Sequence, residues 1–72
     1  MIRINPDAIG PALGELRQLL RISQRDLATD AGLHSSQLSY WERGLRTPDI
    51  SSLVKLAHAL GYDLALIPRE DT

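Results

Sequence analysis

At 72 residues the chain has room for one domain and a short tail, and folding at this size hides only about 60% of the chain's surface, so a small core is expected. It has no cysteine, which removes disulfides and thiolate zinc sites, and no run approaches the roughly 18 apolar residues of a membrane span. Eight Lys and Arg against nine Asp and Glu give a formal net charge of −1, so composition lacks the basic excess of many nucleic-acid binders and by itself favours a protein-binding module. Dimerisation is the stabiliser that remains for so small a core. The start, MIRINPDAIG, has neither the charged nor the apolar block of a signal peptide, so a cytoplasmic location is expected.

The elements follow in chain order. Ile9, Leu13, Leu16 and Leu20 recur at steps of 4, 3 and 4, one face of a first helix. Pro11 lacks an N–H and suits that helix's first turn, and Asn5-Pro6 is placed to cap a preceding turn. Gly14 inside the pattern costs up to about 1 kcal/mol against Ala, and close packing of a neighbouring helix is the expected reason. Ser23 is the expected cap of a second helix, with Asp26 as a weaker reciprocal partner. Its buried stripe is Leu27, Ala28 and Ala31, and Gly32 ends it.

A third helix is expected from His34 or Ser35 to Arg43, with Leu38 and Trp41 pointing inward and Gly44 as the stop. Thr47-Pro48-Asp49 predicts the start of a fourth helix, read as cap, first-turn proline and acid. Ile50, Leu53, Ala57 and Leu60 are expected on its inner face, with Gly61 after it. Beyond it the period changes to two: Tyr62, Leu64 and Leu66 alternate with Asp63, Ala65 and Ile67, which predicts a short strand. A lone strand has no ladder partner in its own chain, so a second copy is the simplest partner.

The second and third helices are joined by a turn too short for antiparallel packing. Gln24, Ala28, Gly32, Leu38 and Trp41 stand at steps of 4, 4, 6 and 3. Ala28 is small where two helices cross steeply, Gly32 suits a backbone angle costly to other residues, and Leu38 with Trp41 anchors the third helix so that its opposite face projects. That is a helix-turn-helix, whose second helix enters the DNA major groove.

In these residues the chain resembles the phage repressor and Cro-type helix-turn-helix domains, a family found in phage repressors and bacterial antitoxins. The likeness runs from about Ile9 to Leu60, is densest in SQRDLATDAGLHSSQLSYWERGLRTPDISSLVKLAHALG, and is most specific in the run WERG-LRTP before a helix ending LAHALG. It implies an all-α, compact four-helix DNA-binding domain over residues 1–61, with the helix-turn-helix at about 24–43. The short C-terminal β-strand would then belong to a dimerisation tail over 62–72, with Tyr62, Leu64 and Leu66 as its contacts.

The resemblance also assigns residue roles. The start of the third helix, His34, Ser35, Ser36, Ser39 and Tyr40, would read base edges. Family members often carry Gln or Arg there, and serine hydroxyls donate or accept, so base preference stays open and water-bridged or shape readout is expected. Phosphate contacts would come from Gln24, Arg43, Arg46 and Thr47, with Arg25 a weaker candidate. Arg17 and Glu42 match the pair joining the first helix to the third. Arg21 stands where the family usually has Gly.

The implied partners are operator DNA and a second copy of the chain, in a bacterial cell or phage-infected host. The antitoxin branch adds an alternative in which a toxin protein is the main partner. No cofactor, metal, membrane or small-molecule substrate is expected. His34 and His58 are far apart with no acidic or cysteine cluster at ligand spacing, and His58 reads as a surface or interface residue. There is no nucleophile elbow, phosphate loop or triad frame, so an enzyme is not expected.

Overall fold

A computed structural model describes residues 4–68. A 3₁₀ turn at Pro6–Ala8 precedes four helices: α1 (Ile9–Leu19), α2 (Gln24–Ala31), α3 (Ser35–Glu42) and α4 (Ile50–Ala59). The Asn5 side chain accepts the Asp7 N–H at 2.9 Å, and Pro11 falls in the first turn of α1, where an N–H would have no helical acceptor. Ser23 Oγ accepts the Asp26 N–H at 3.0 Å and opens α2. Gly32 closes α2 in the left-handed region at φ 71°, which turns the Leu33 N–H back onto the Ala28 carbonyl at 2.8 Å. Only three residues, Gly32, Leu33 and His34, separate α2 from α3.

The core is one cluster between these helices. Leu27, Leu38 and Leu56, one each from α2, α3 and α4, are fully buried, and Leu13, Ala28, Ala31, Trp41 and Leu60 complete it. α2 packs on both α3 and α4, and α1 packs on α3. The approach of α1 to α3 is a backbone approach. A Cβ on Gly10 would lie 1.8 Å from the Trp41 carbonyl oxygen, and one on Gly14 would lie 3.0 Å from a Glu42 carboxylate oxygen. Gly14 therefore has the close neighbour its sequence position suggests, and Gly10, which the helical pattern does not single out, has a closer one.

Several expectations need correction. α4 begins at Ile50 with Asp49 as its cap residue, so Thr47 is not the cap and Pro48 lies outside the helix. Pro48 and Ser52 are the buried residues at this end, which leaves Ile50 71% exposed instead of on the inner face. Leu56 takes the central place that the sequence pattern does not assign. Leu20 follows the last turn of α1 and is half-exposed rather than part of the buried face.

Residues 62–68 are exposed and form neither helix nor strand in the single chain. The strand expected there is not seen: a β-ladder needs a second set of N–H and C=O groups, and no other described segment offers them. Two contacts hold the start of this tail to α4. The Tyr62 N–H reaches the Ala57 carbonyl at 2.8 Å, and His58 Nε2 lies 3.5 Å from Asp63 Oδ1 at the surface. No described helix is long and apolar enough to cross a membrane.

Candidate nucleic-acid interface

The outer face of α3 is defined by what holds its inner face. Leu38 and Trp41 are buried in the core, and on the same helix Ser35, Ser36 and Tyr40 are exposed, with Ser39 half-buried beside them. His34 is the cap residue of α3 and is exposed. Its N–H is accepted by Gln37 Oε1 at 3.3 Å, a return contact from the third helical position that the sequence shows as a Gln three residues after the cap. These residues form one continuous surface at the start and along the outside of α3.

A polar network fixes the angle of that helix. Arg17 of α1 grips Glu42 of α3 with two bonds, Nε to Oε2 at 2.7 Å and Nη2 to Oε1 at 2.8 Å. Both side chains are largely withdrawn from water, with 11% and 8% of their surface exposed. Arg17 Nη1 also donates to the Ile22 carbonyl at 2.7 Å, so one guanidinium ties α1, the α1–α2 connection and α3 together. Burial pushes the Glu42 carboxyl up, but hydrogen bonds from Arg17 and Gln24 outweigh it and hold the group below the usual carboxylate range. The hydrogen bond to Glu42 raises Arg17 above its ordinary value, so the pair is fully ionised at neutral pH.

Gln24 has a duty that its place in the sequence does not show. Its Nε2 donates to Glu42 Oε1 at 3.0 Å, which joins the start of α2 to the same carboxylate. One amide N–H and the amide oxygen remain for any outside contact. Arg25, next to it, is exposed, as are Arg46 and Thr47 in the connection from α3 to α4.

Arg43, just past α3, donates from Nε to the Ser39 carbonyl at 3.3 Å. Its guanidinium carbon lies 5.2 Å from the Tyr40 ring centroid, and that of Arg46 lies 5.9 Å from the same centroid. Tyr40, Arg43 and Arg46, which the family likeness divides between expected base and phosphate duties, thus form one group. The step of three from Tyr40 to Arg43 is a helical-neighbour signal, whereas the approach of Arg46 depends on the loop path after Gly44, where φ is 75°.

Arg21, between α1 and α2, has φ 59°. It is a non-glycine residue in the left-handed region, at the position where the sequence likeness places Gly. The dimer candidates Tyr62, Leu64 and Leu66 lie in the exposed tail, and their geometry in one chain brings none of them into the core.

Two short helices crossing at a glycine turn, the second anchored inside and bare outside, define a helix-turn-helix unit. Comparison with known proteins places it further. A family profile described as helix-turn-helix matches residues 13–67, and the chain belongs to that family, in its Cro/C1-type branch. An uncharacterized HTH-type transcriptional regulator of Sinorhizobium fredii is 39% identical over 54 residues, which make up 75% of this chain and 28% of that protein. One of Haemophilus influenzae is 36% identical over 52 residues, 72% of this chain and 53% of that protein. The chain thus spans about half or less of the length of these curated relatives. Among solved structures, the clp gene regulator ClgR from Corynebacterium glutamicum superposes with a TM-score of 0.74 at 32% identity, covering 79% of this chain and 61% of that one.

Proposed function

We propose that the chain is a sequence-specific DNA-binding unit of a transcriptional regulator, acting as a homodimeric repressor on a palindromic operator. The carrying observation is α3: Leu38, Trp41 and the bidentate Arg17–Glu42 pair immobilise one side of it while His34, Ser35, Ser36, Ser39 and Tyr40 stand on the other. A helix held at a fixed angle can present the same few side chains to every site it tests, which base readout requires. Family membership and relatives described as transcriptional regulators support the reading. No observation favours the antitoxin alternative.

In this reading His34 and the serines meet base edges. Gln24, Arg25, Arg43, Arg46 and Thr47 meet phosphates, together with the free N–H groups at the starts of α2 and α3. The net charge of −1 is compatible with this because the one acid between Asp30 and Asp49, Glu42, is already neutralised by Arg17. Two protomers would place their third helices about 34 Å apart in successive major grooves. The alternating tail, residues 62–67, would pair with its copy as an antiparallel ribbon and bring Leu64 and Leu66 into contact across the axis. Occupied promoter DNA would then exclude polymerase.

The test is selection of duplexes from a random pool by the wild-type protein and by Ser35→Ala/Ser36→Ala. The double variant should select a different consensus with an unchanged melting temperature. An identical consensus would remove the two serines from base readout, and failure of the wild-type protein to enrich any sequence would overturn the function itself. Sedimentation of the full chain and of residues 1–61 should give a dimer and a monomer, respectively.

A further inference from the structure

We infer that Tyr40 does not read a base but holds Arg43 and Arg46 together as a two-arginine clamp on the DNA phosphodiester backbone beside the α3 reading face. The inference rests on the DNA-binding function proposed above and changes the duty assigned to Tyr40 within it.

Two guanidinium groups approach the same aromatic ring, at 5.2 Å and 5.9 Å from its centroid. Both distances are within the roughly 6 Å at which a ring quadrupole attracts a cation. Two like charges gathered on one ring repel each other, and among the described residues neither forms an ion pair with an acid. Glu42, adjacent to Arg43 in sequence, has both its oxygens engaged by Arg17 and Gln24. Asp49, three residues after Arg46, is the cap residue of α4 and forms no ion pair with either arginine. The ring therefore concentrates positive charge that the chain itself does not neutralise.

The donors left over suit a phosphate. Arg43 uses Nε on the Ser39 carbonyl, which fixes the guanidinium plane against the end of α3 and leaves the four N–H groups of its two terminal nitrogens. Arg46 shows no intramolecular hydrogen bond among those formed by described side chains and presents its whole fork. A planar fork matches phosphate oxygens with two parallel bonds. Stacking against Tyr40 also removes rotamer freedom from two long exposed side chains before DNA arrives, so less is lost when the contacts form. A tyrosine ring with arginines on it is correspondingly less available to a thymine methyl group.

The experiment uses the full chain and two duplexes of equal length: the best sequence enriched by the wild-type protein, and a shuffled version of it. Binding is followed by fluorescence anisotropy across a salt series. Tyr40→Leu should weaken both duplexes by the same factor, roughly three- to ten-fold, and Tyr40→Phe should restore the lost affinity, because the ring and not the hydroxyl holds the arginines. Arg43→Gln/Arg46→Gln should weaken both duplexes and reduce the salt slope by about two. In that double background, adding Tyr40→Leu should change nothing further.

A base contact by Tyr40 gives the opposite pattern: loss on the enriched duplex only, persisting when both arginines are gone. Either feature overturns the clamp. A Tyr40→Leu protein that binds like the wild type overturns it as well, while leaving the DNA-binding function intact. A wild-type protein that binds neither duplex overturns the function, and the clamp with it.

Discussion

The junction of α1 with α3 and the tail beyond α4 treat polarity in opposite ways. At the junction an arginine and a glutamate are withdrawn from water, Gly10 lets the α1 backbone approach that of α3, and Gly14 leaves room for the Glu42 side chain. In the tail, leucine and isoleucine side chains stand in solvent, Leu66 entirely so. Buried charge is tolerated where every donor finds an acceptor, and Arg17 and Glu42 meet that condition through each other, Gln24 and the Ile22 carbonyl. The junction is complete within one chain. Among the described residues nothing satisfies the tail's alternating pattern, and the function proposed above assigns it to a second copy of the chain. A buried ion pair adds little stability over an apolar pair of the same shape, and its contribution here is the angle of α3.

The strongest way to break this contrast is to open the junction. Glu42→Ala leaves the Arg17 guanidinium buried without its counter-ion and should cost about 3 kcal/mol, a large share of the stability available to a domain of this size. Chemical denaturation would register it as a lower midpoint at an unchanged slope. A loss under about 1 kcal/mol would mean that water already serves the pair, and the contrast with the tail would fail.

A pH titration probes the same carboxylate with less damage. Glu42 is held below its ordinary value in the folded protein, so its contribution is fully present above its unfolded value of 4.5 and is lost as pH falls through the lowered folded value. Asp49 at the start of α4 shifts in the same direction, mainly through the Ser52 hydroxyl, and acts in the neighbouring acid window from an exposed position. Stability should therefore decline below about pH 4.5. In Glu42→Gln that decline should be visibly shallower, with Asp49→Asn as the comparison. Equal slopes in wild type and Glu42→Gln would show that Glu42 is not the group being protonated.

Much of the junction is legible in the amino-acid sequence alone. Arg17 and Glu42 are legible through the likeness to the repressor and Cro-type family, which pairs those positions, and Ser23 and Gly32 mark the ends of α2 because capping and left-handed turns demand those residue types. The closeness at Gly10 is not legible, since a missing side chain gains meaning only against the Trp41 carbonyl that faces it. The inner face of α4 is legible only in part: Ile50 fits the helical period, but periodicity carries no information about where the core ends, and Pro48 with Ser52 closes that end instead. The tail misleads for a related reason. Its period of two is a pattern of side chains, whereas a strand is a pattern of hydrogen bonds between two backbones. At the candidate interface, the family likeness picks out Tyr40, Arg43 and Arg46 singly, and only the loop path after Gly44 brings the three together.

Arg21 offers a gentler probe of the junction, because it lies in the connection that Arg17 ties down through the Ile22 carbonyl. At φ 59° its Cβ crowds the following carbonyl, a cost of roughly 1–2 kcal/mol, part of which a glycine would return as lost chain entropy on folding. Arg21→Gly should therefore stabilise by about 0.5 kcal/mol, a rise of roughly 2–4 °C in melting temperature. Destabilisation would show that the arginine side chain makes a contribution larger than its strain.

The smallest expected effect tests the tail, and its smallness is the point. Leu66 exposes its whole side chain, so Leu66→Ser removes no buried surface from a single folded chain. In dilute solution, where any dimer has dissociated, the variant should unfold within about 0.5 kcal/mol of wild type. At high protein concentration the two should diverge, because a chain stabilised by its own copy gains stability with concentration and the serine variant loses the apolar contact that supplies it. A loss that is already present in dilute solution would mean that the tail packs on its own domain, and the difference between the two regions would then be one of degree. A stability independent of concentration in both proteins would leave the exposed leucines without a partner in a second copy, and the dimeric operator complex would lose its ribbon.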